Sequence, residues 1–514
     1  MFSEIKDASV ARPRIGAAIR AALLGATMLA ALPATADPAA APGGPQLTGA
    51  KEAPATPVAV GYPAIGNGEG TVQGKYNVSR WAEDWRSMRD PAKRDDPLDR
   101  LKFLPLTQDG DVYLTLSGEF RYRVQETTNP DLRDRPAQRQ DRTRVFAGAD
   151  LHLGDHVRVY GELAHAGLQG INLGNPGANL RNQLTLQQGF GEVRGTIGGA
   201  EVGVRGGRQE FSDGPNLLMA VRDDPTLHFV LDGVRGYVRG KRARVDLFDF
   251  NFVNYGKAGL SDDRSDHARR FSGATFGYVV PGDFLGKSKL FFDPFVWRLR
   301  TDAAVWGRQT AREERMFYGL HLYGDIDRAT IDWTVNYQGG SFGDRSISAW
   351  QAFVAQTWRI AANPSAPRVG VHVDYASGGG GASGQGTLRA PSGLYGNNIY
   401  YSYQLFLTPT NLLAISPNIT VQPVKNLRVT AEYTMAYRPD VKEAVYRASG
   451  AAFAGTQNVP GNHIADLIRA QAVWAVTPRI SLTGRYEHMM VKDALSNAGY
   501  KDSDFLAGWI SFRF

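Results

Sequence analysis

The 514-residue chain contains no cysteine, which excludes a disulfide framework, a thiol nucleophile and thiolate metal sites. Long apolar runs are missing too. Beyond residue 36 nothing approaches the run of about eighteen apolar residues from which a membrane-spanning helix is built. If the mature chain enters a bilayer it must do so as strands, and only a closed barrel satisfies every backbone group there. The histidines are scattered and show no H-E-x-x-H motif, so no metal site is read. Gly203 to Gly207 and Gly378 to Gly381 have neither a strand-to-helix context nor a following Lys-Ser/Thr, which excludes a phosphate loop. No cofactor is implied. There is no dense basic tract and no zinc, KH or RRM signature, so nucleic acid is not a partner.

What is present begins with a targeting segment. Arg12, Arg14 and Arg20 precede the small-residue apolar run Ala21 to Leu32, and Ala34-Thr35-Ala36 supplies an A-x-A cleavage pattern. Residues 1–36 therefore read as a secretory signal peptide. Its removal takes away four basic and two acidic residues, so the net charge of +7 becomes +5. Residues 37–79 are Ala/Pro/Gly-rich and lack the apolar density of a core, and read as a flexible periplasmic leader. Residues 80–110, with Trp81, Trp85 and a charged run to Arg100, form an ordered lead-in that can begin with a helical turn.

From Asp111 the period becomes two. Leu114, Leu116, Phe120, Tyr122 and Val124 share one face, while Thr115, Ser117, Glu119, Arg121 and Arg123 share the other. Residues 327–338 repeat the pattern, with Ile331, Trp333, Val335 and Tyr337 opposite Thr330, Asp332, Thr334 and Asn336. Alternation alone also suits a soluble sandwich. Connection lengths decide otherwise: about eighteen such segments, from 111–124 to 504–514, are joined alternately by long gaps and short turns. The long gaps include 125–142, 210–228, 301–313, 338–346 and 376–410; the short ones include 154–156, 198–200 and 476–479. That is an all-β, up-and-down transmembrane antiparallel β-barrel over 111–514, with long extracellular loops and short periplasmic turns. The last segment, Asp504 to Phe514, places Leu506, Ile510, Phe512 and Phe514 on one face, the kind of terminal strand that outer-membrane assembly machinery reads. Tyr and Trp near strand ends fit interfacial girdles against outer-membrane lipid.

These features are combined with motifs that resemble the alginate export family of outer-membrane barrels. The resemblance runs from about Trp85 to Phe514. It is carried by Asp84-Trp85, Leu101 to Leu106, Gly118 to Arg123, Gly207-Arg208-Gln209, Leu231 to Arg235, Tyr437-Arg438 and Ala444-Val445-Tyr446. It implies an eighteen-stranded monomeric barrel in the outer membrane and a pore that carries an anionic polysaccharide past a constriction of arginines. Arg121, Arg123, Arg208, Arg235 and Arg438 match family arginines by motif position. Two departures make the fold transfer firmer than the substrate transfer. The eighth periplasmic turn, 476–479, is short where alginate exporters have a long one, and His488 to Asp493 lacks a Gly-Asp-Phe run.

Of the 58 basic residues 45 are arginine, a side chain that stays charged at any relevant pH and presents a fork matched to carboxylates. On the polar strand faces the candidates for a solute pathway are Arg121, Arg123, Arg144, Arg158, Arg205, Arg208, Arg235, Arg428, Arg438, Arg469 and Arg485. Such rings favour anions. The lumen acids Glu119, Asp150, Glu162, Glu192, Asp246 and Glu432 offer these arginines a second role, as ion pairs that brace the wall. The expectation is a non-enzymatic channel for an anionic solute, either a uronate-type polysaccharide or a small anionic saccharide or organic acid. A general diffusion porin and a barrel-borne hydrolase compete with it; the hydrolase would need a Ser-His or Asp-His set at the outer rim. Residues 37–110 are too few to form the globular plug of an active receptor. The carboxylate pairs Asp262-Asp263 and Glu313-Glu314 read as solvated loop residues, and the Gly378 to Gly381 run as a flexible part of the longest outer loop.

Overall fold

A computed structural model describes residues 72–73, 76–282 and 284–514 of the protein. The expected signal peptide and most of the expected leader lie outside the described residues.

Eighteen antiparallel strands form one closed barrel. They are β1 (Val112–Thr127), β2 (Gln138–Leu153), β3 (Val157–Ile171), β4 (Asn182–Ile197), β5 (Ala200–Gln209) and β6 (Leu231–Arg239). The ring continues through β7 (Ala243–Asn254), β8 (Arg264–Val279), β9 (Ser288–Trp306), β10 (Gln309–Ile326), β11 (Ala329–Phe342) and β12 (Arg345–Arg359). It is completed by β13 (Arg368–Ala376), β14 (Leu412–Val424), β15 (Leu427–Tyr437), β16 (His463–Ala475), β17 (Ile480–Val491) and β18 (Ser503–Arg513). Each strand pairs with the next in sequence, and β18 closes on β1 in a register running from Phe505 opposite Thr127 to Arg513 opposite Glu119. With no free edge, every wall N–H and C=O can be paired within the ring, as lipid demands.

The alternation read from the sequence sets the two faces. On β1, Phe120 and Tyr122 are exposed on the outside while Glu119, Arg121 and Arg123 are buried within. On β11, Val335 is 40 % exposed and Thr334 only 3 %. The outer surface is a band of Val, Leu, Ile and aromatic side chains, among them Val159, Val204, Leu247, Leu320, Val373 and Ile468. Such an apolar band is what a bilayer covers.

Two connections differ from the expectation. Residues 301–313 and 338–346 are not long loops: β9 and β10 are joined through 307–308, and β11 and β12 through 343–344. At the outer ends of these strands charged pairs stand on the outward face while Phe342 and Ile347 pack inward with Ala304, Trp306 and Ala311 against Leu388 and Ala390, so the dry-out, wet-in alternation is lost from the sequence while the ladder continues. Arg298 pairs with Glu314 across β9 and β10 at 2.6 Å, and Arg300 with Asp302 at 3.0 Å. Glu313 and Glu314 are accordingly strand residues. Glu313 is buried, accepting hydrogen bonds from Trp306 Nε1 at 2.6 Å and Arg315 Nε at 2.7 Å.

The barrel is not empty. Residues 76–105 turn into its periplasmic end through short 3-10 turns at Arg80–Ala82, Arg86–Arg89, Pro91–Lys93 and Pro97–Lys102. Two of these turns have proline in the first turn, where its missing N–H is not needed, after Asp90 and Asp96 as caps. Tyr76, Trp85, Met88 and Phe103 pack with Tyr113 of β1. The lead-in is held by charge as well: Arg80 donates to Glu162 at 2.6 Å and Glu119 at 3.0 Å, and Arg479 bonds Asp96 and Asp99 at 2.6 and 2.7 Å.

The register of β11 generates a test. Val335→Arg places a charge in the lipid band, at a cost of roughly 2–4 kcal/mol near the midplane, whereas Thr334→Arg points into the polar interior. In refolding into detergent or lipid, the heat-modifiable folded fraction should fall for Val335→Arg and stay close to wild type for Thr334→Arg.

Candidate functional site: a filled lumen and its remaining cavity

Two connections fold inward instead of standing in solvent. The first, 210–230 between β5 and β6, carries Leu217-Leu218-Met219-Ala220-Val221, an apolar run that gains by burial. Phe211 packs on Phe248 and Phe250 of β7 with ring centroids 4.6 and 5.1 Å apart. The second, 377–411 between β13 and β14, reaches across to the same region. Tyr395 stacks on Phe229 at 4.2 Å and receives a hydrogen bond from Arg269 of β8 at 2.6 Å. The two connections join through backbone hydrogen bonds: Asn397 N–H to Asn216 C=O at 2.8 Å, Tyr395 N–H to Leu218 C=O at 3.1 Å and Ala220 N–H to Tyr395 C=O at 3.2 Å. This approach needs glycine at 396, where a Cβ would lie 1.9 Å from the Leu217 carbonyl oxygen. The Gly378 to Gly381 run belongs to this packed segment, with Gly381 and Ala382 N–H donating to Glu443 at 2.6 and 2.8 Å.

Carboxylates of the first inward connection occupy the arginines of the wall. Asp223 accepts from Arg121 at 2.9 Å and Arg144 at 2.6 Å; Asp224 accepts from Arg123 at 2.9 Å and from Arg485 of β17 at 2.7 Å. His228 lies between Asp223, at 2.9 Å, and Glu210, at 2.5 Å. Burial pushes the Asp223 carboxyl up, but Arg121 and Arg144 outweigh it and hold it well below the ordinary range. Asp224 is likewise held low, burial being overcome by Arg123 and Arg485. His228 is lowered by burial but raised on balance by Glu210 and Asp223. Neither Asp223 nor Asp224 was singled out from the sequence; the signal was the apolar run just before them, which a solvent-exposed loop has no reason to carry.

The other candidate residues fall into groups. Arg158 pairs with Asp150 at 2.5 Å, and Arg205 with Glu192 at 2.8 Å while stacking 3.8 Å over Trp81 of the lead-in. Arg235 pairs with Asp246 at 2.6 Å beneath Phe211 and is 1 % exposed. Arg208 pairs with Asp232 at 2.8 Å. Arg438, just beyond β15, donates to the carbonyls of Gly461, Glu443, Thr456 and Val459, and so holds the 438–462 connection. Glu162 receives Arg80. Seven of the eleven arginines, namely Arg123, Arg144, Arg158, Arg205, Arg208, Arg235 and Arg438, are thus outside the main cavity.

That cavity has a volume of about 670 Å³ and lies under the two inward connections, toward the short-turn end of β9 to β17. Arg121, Arg428, Arg469 and Arg485 line it, with Glu432 as the one predicted acid. Three arginines that the sequence reading passed over, Arg328, Arg359 and Arg368, line it as well. Apart from Arg328 in the 327–328 turn and Glu432 on β15, its charges are segregated: Asp293, Asp325, Asp327 and Asp332 come from the β9 to β11 side, and Arg359, Arg368, Arg428, Arg469 and Arg485 from β12 to β17. Among the described residues there is no group of three or more His, Cys, Asp or Glu side chains arranged to hold a metal ion.

An eighteen-stranded antiparallel barrel with an apolar girdle and inward-folded loops defines the class: this is an outer-membrane β-barrel channel of the porin type. The family model described as alginate export matches residues 112–508, and the chain belongs to that family. No curated protein matches the chain. Solved structures share the fold at low identity. A BenF-like porin from Pseudomonas fluorescens Pf-5 aligns with TM-score 0.52 and 11 % identity over 78 % of this chain and 98 % of its own. OccAB1 from Acinetobacter baumannii gives 0.51 and 12 % over 81 % and 99 %. OpdK from Pseudomonas aeruginosa, solved with vanillate, gives 0.51 and 10 % over 80 % and 99 %.

The latch on the inward connection has a defined pH dependence. The Asp223 and Asp224 pKa values are depressed, so their contribution is present above the ordinary aspartate range and is lost only as pH falls through their lowered values. The raised pKa of His228 acts with the opposite sign: its contribution is complete below the ordinary histidine range and is lost as pH rises through the raised value. Single-channel conductance should therefore hold steady through mildly acidic pH and rise only as pH falls well below the ordinary aspartate value of about 4. Asp223→Asn/Asp224→Asn should be open already at neutral pH, because removing one partner of a buried pair costs about 3–5 kcal/mol.

Proposed function

We propose that this channel passes anionic, carboxylate-bearing solutes, of the uronate polysaccharide or small saccharide-acid and organic-acid kind. One observation carries the reading: the charge left over in the cavity is positive. Most of its acids are already engaged. Asp223 is held by Arg121 and Arg144, Glu432 by Arg469, Asp293 by Arg244 at 2.9 Å and Asp327 by Arg328 at 3.8 Å, whereas Asp332 and Asp325 meet only His321 and the Thr330 hydroxyl and keep their charge. Arg359, Arg368 and Arg428, by contrast, make no ion pair among the described residues. In a narrow, partly low-dielectric space such an excess attracts anions and opposes cations. Family membership supports a transported saccharide acid in the same direction. The polar walls, with Thr357, Asn418, Thr420 and Thr430 beside the arginines, supply donors and acceptors for a hydroxylated solute.

Reversal potentials in planar bilayers under a potassium chloride gradient test the reading. Chloride should be more permeant than potassium, and replacement of chloride by gluconate should leave a measurable anion current. Cation preference in the wild-type channel would overturn it.

A further inference from the structure

The three unpaired arginines are not spread along the cavity; they are gathered at one place. Arg359 is the last residue of β12 and Arg368 the first of β13, and the two are directly opposite across the ladder. Arg368 is in turn opposite Thr420 of β14, and Thr420 is opposite Thr430 of β15. Arg428 is two residues from Thr430, on the same inward face and nearer the turn. All three thus flank the periplasmic connections 360–367 and 425–426, and each is only partly buried. Arg359 and Arg368 repel each other as like charges, as do Arg368 and Arg428.

What faces them does not balance this charge. Arg368 Nη1 donates to the Thr330 hydroxyl at 3.3 Å and that hydroxyl donates onward to Asp325 at 2.5 Å; Asp325 attracts Arg368 through space without forming a direct ion pair, one carboxylate against three guanidiniums. Arg328, in the 327–328 turn, adds a fourth cation to the same rim, with Asp327 beside it at 3.8 Å. The nearest glutamate on β15, Glu432, is engaged by Arg469 and His372. Arg359 keeps a buried Nε without a hydrogen-bond partner. Many other interior arginines, among them Arg158, Arg205, Arg235 and Arg438, are matched to a carboxylate or to carbonyls. Three adjacent guanidiniums without such a partner are held together at an electrostatic cost that an external oxyanion removes.

We propose that Arg359, Arg368 and Arg428 form an oxyanion-binding site at the periplasmic entrance of the channel, where a solute carboxylate is held before or after it passes the inward connections. It rests on the anion-channel reading for its physiological use but not for its existence. The planar forks suit a carboxylate, and the flanking Thr330, Asn418, Thr420 and Thr430 suit hydroxyls on the same molecule. Because residues 210–230 and 377–411 lie between this rim and the outer mouth, the site is reached more readily from the periplasmic side.

The test is block of chloride current through the full mature channel in planar bilayers, with gluconate as the probe and glucose as its uncharged counterpart. Gluconate should block, and from one side of the membrane at far lower concentration than from the other; glucose should not. Arg368→Gln/Arg428→Gln, checked for folding by heat-modifiable mobility, should raise the half-blocking concentration at least tenfold, a larger factor than its change in the chloride-to-potassium permeability ratio. Arg368→Lys/Arg428→Lys, which keeps the charge and loses the fork, should fall between wild type and the glutamine variant. Equal block of wild type and glutamine variant overturns the site, and so does a block that only follows the permeability ratio. A wild-type channel that prefers anions yet shows no gluconate block overturns the site and leaves the anion-channel reading standing. A channel that prefers cations but loses gluconate block in the glutamine variant does the reverse.

Discussion

The carboxylate of Glu119 is shared among four guanidiniums. Arg80 reaches it from the lead-in at 3.0 Å, Arg121 from its own strand at 3.1 Å, Arg144 from β2 at 3.2 Å and Arg513 from β18 at 3.2 Å. Each of these partners belongs to a different part of the architecture. Arg513 is opposite Glu119 in the ladder that closes the ring, so the acid stands at the seam. Arg80 brings in the segment that packs against β1 to β5 at the periplasmic end, and Arg121 with Arg144 leads on to Asp223 and so to the first inward connection. A buried charge of this kind is tolerated only when fully partnered, which makes closure, lead-in and inner loop interdependent through one side chain. Arginine is suited to the task where lysine is not, because its five donors can serve two acids at once; Arg144 does so with Glu119 and Asp223.

The wall was legible because it has one dry face and one wet face. Each of the eighteen read segments corresponds to a strand, and Val335 and Thr334 face as their alternation says. Legibility failed where that contrast failed. At the outer ends of β9 to β12 the contrast is reversed, with charged pairs such as Arg298 and Glu314 outside and Phe342 and Ile347 packed inside, which breaks the period while leaving the hydrogen-bonded ladder intact. The lumen was harder for a different reason. The partners of Asp224, Arg123 and Arg485, are separated from it by 101 and 261 residues, and no local pattern encodes a contact at that range. The arginines chosen from polar strand faces were mostly those with a carboxylate on a neighbouring strand, since both belong to the same alternation. Arg359 and Arg368 went unremarked because they stand at strand ends, where an arginine looks like ordinary turn punctuation.

The lumen thus separates two jobs that a simpler barrel would combine. Ion pairs such as Arg235 with Asp246 and Arg205 with Glu192 are covered by aromatic rings and serve to hold the wall against what packs on it. The remaining free volume is on the other side of the barrel, where acids and bases come from different groups of strands. A field directed across the cavity, from β12 to β17 toward β9 to β11, orients a dipolar or charged solute as it moves.

The pairing of residues 210–230 with 377–411 has an evolutionary side. A cylinder of eighteen strands fixes the outer diameter and must be kept in register all the way round, so changes to it are costly. The two inward segments are continuous with the wall only at their ends, and are held to it elsewhere mainly by side chains such as Asp223, Asp224 and Tyr395. Lengthening, shortening or replacing them would resize the passage without disturbing a single rung of the ladder. One barrel can in this way be inherited intact by descendants that carry cargoes of quite different girth.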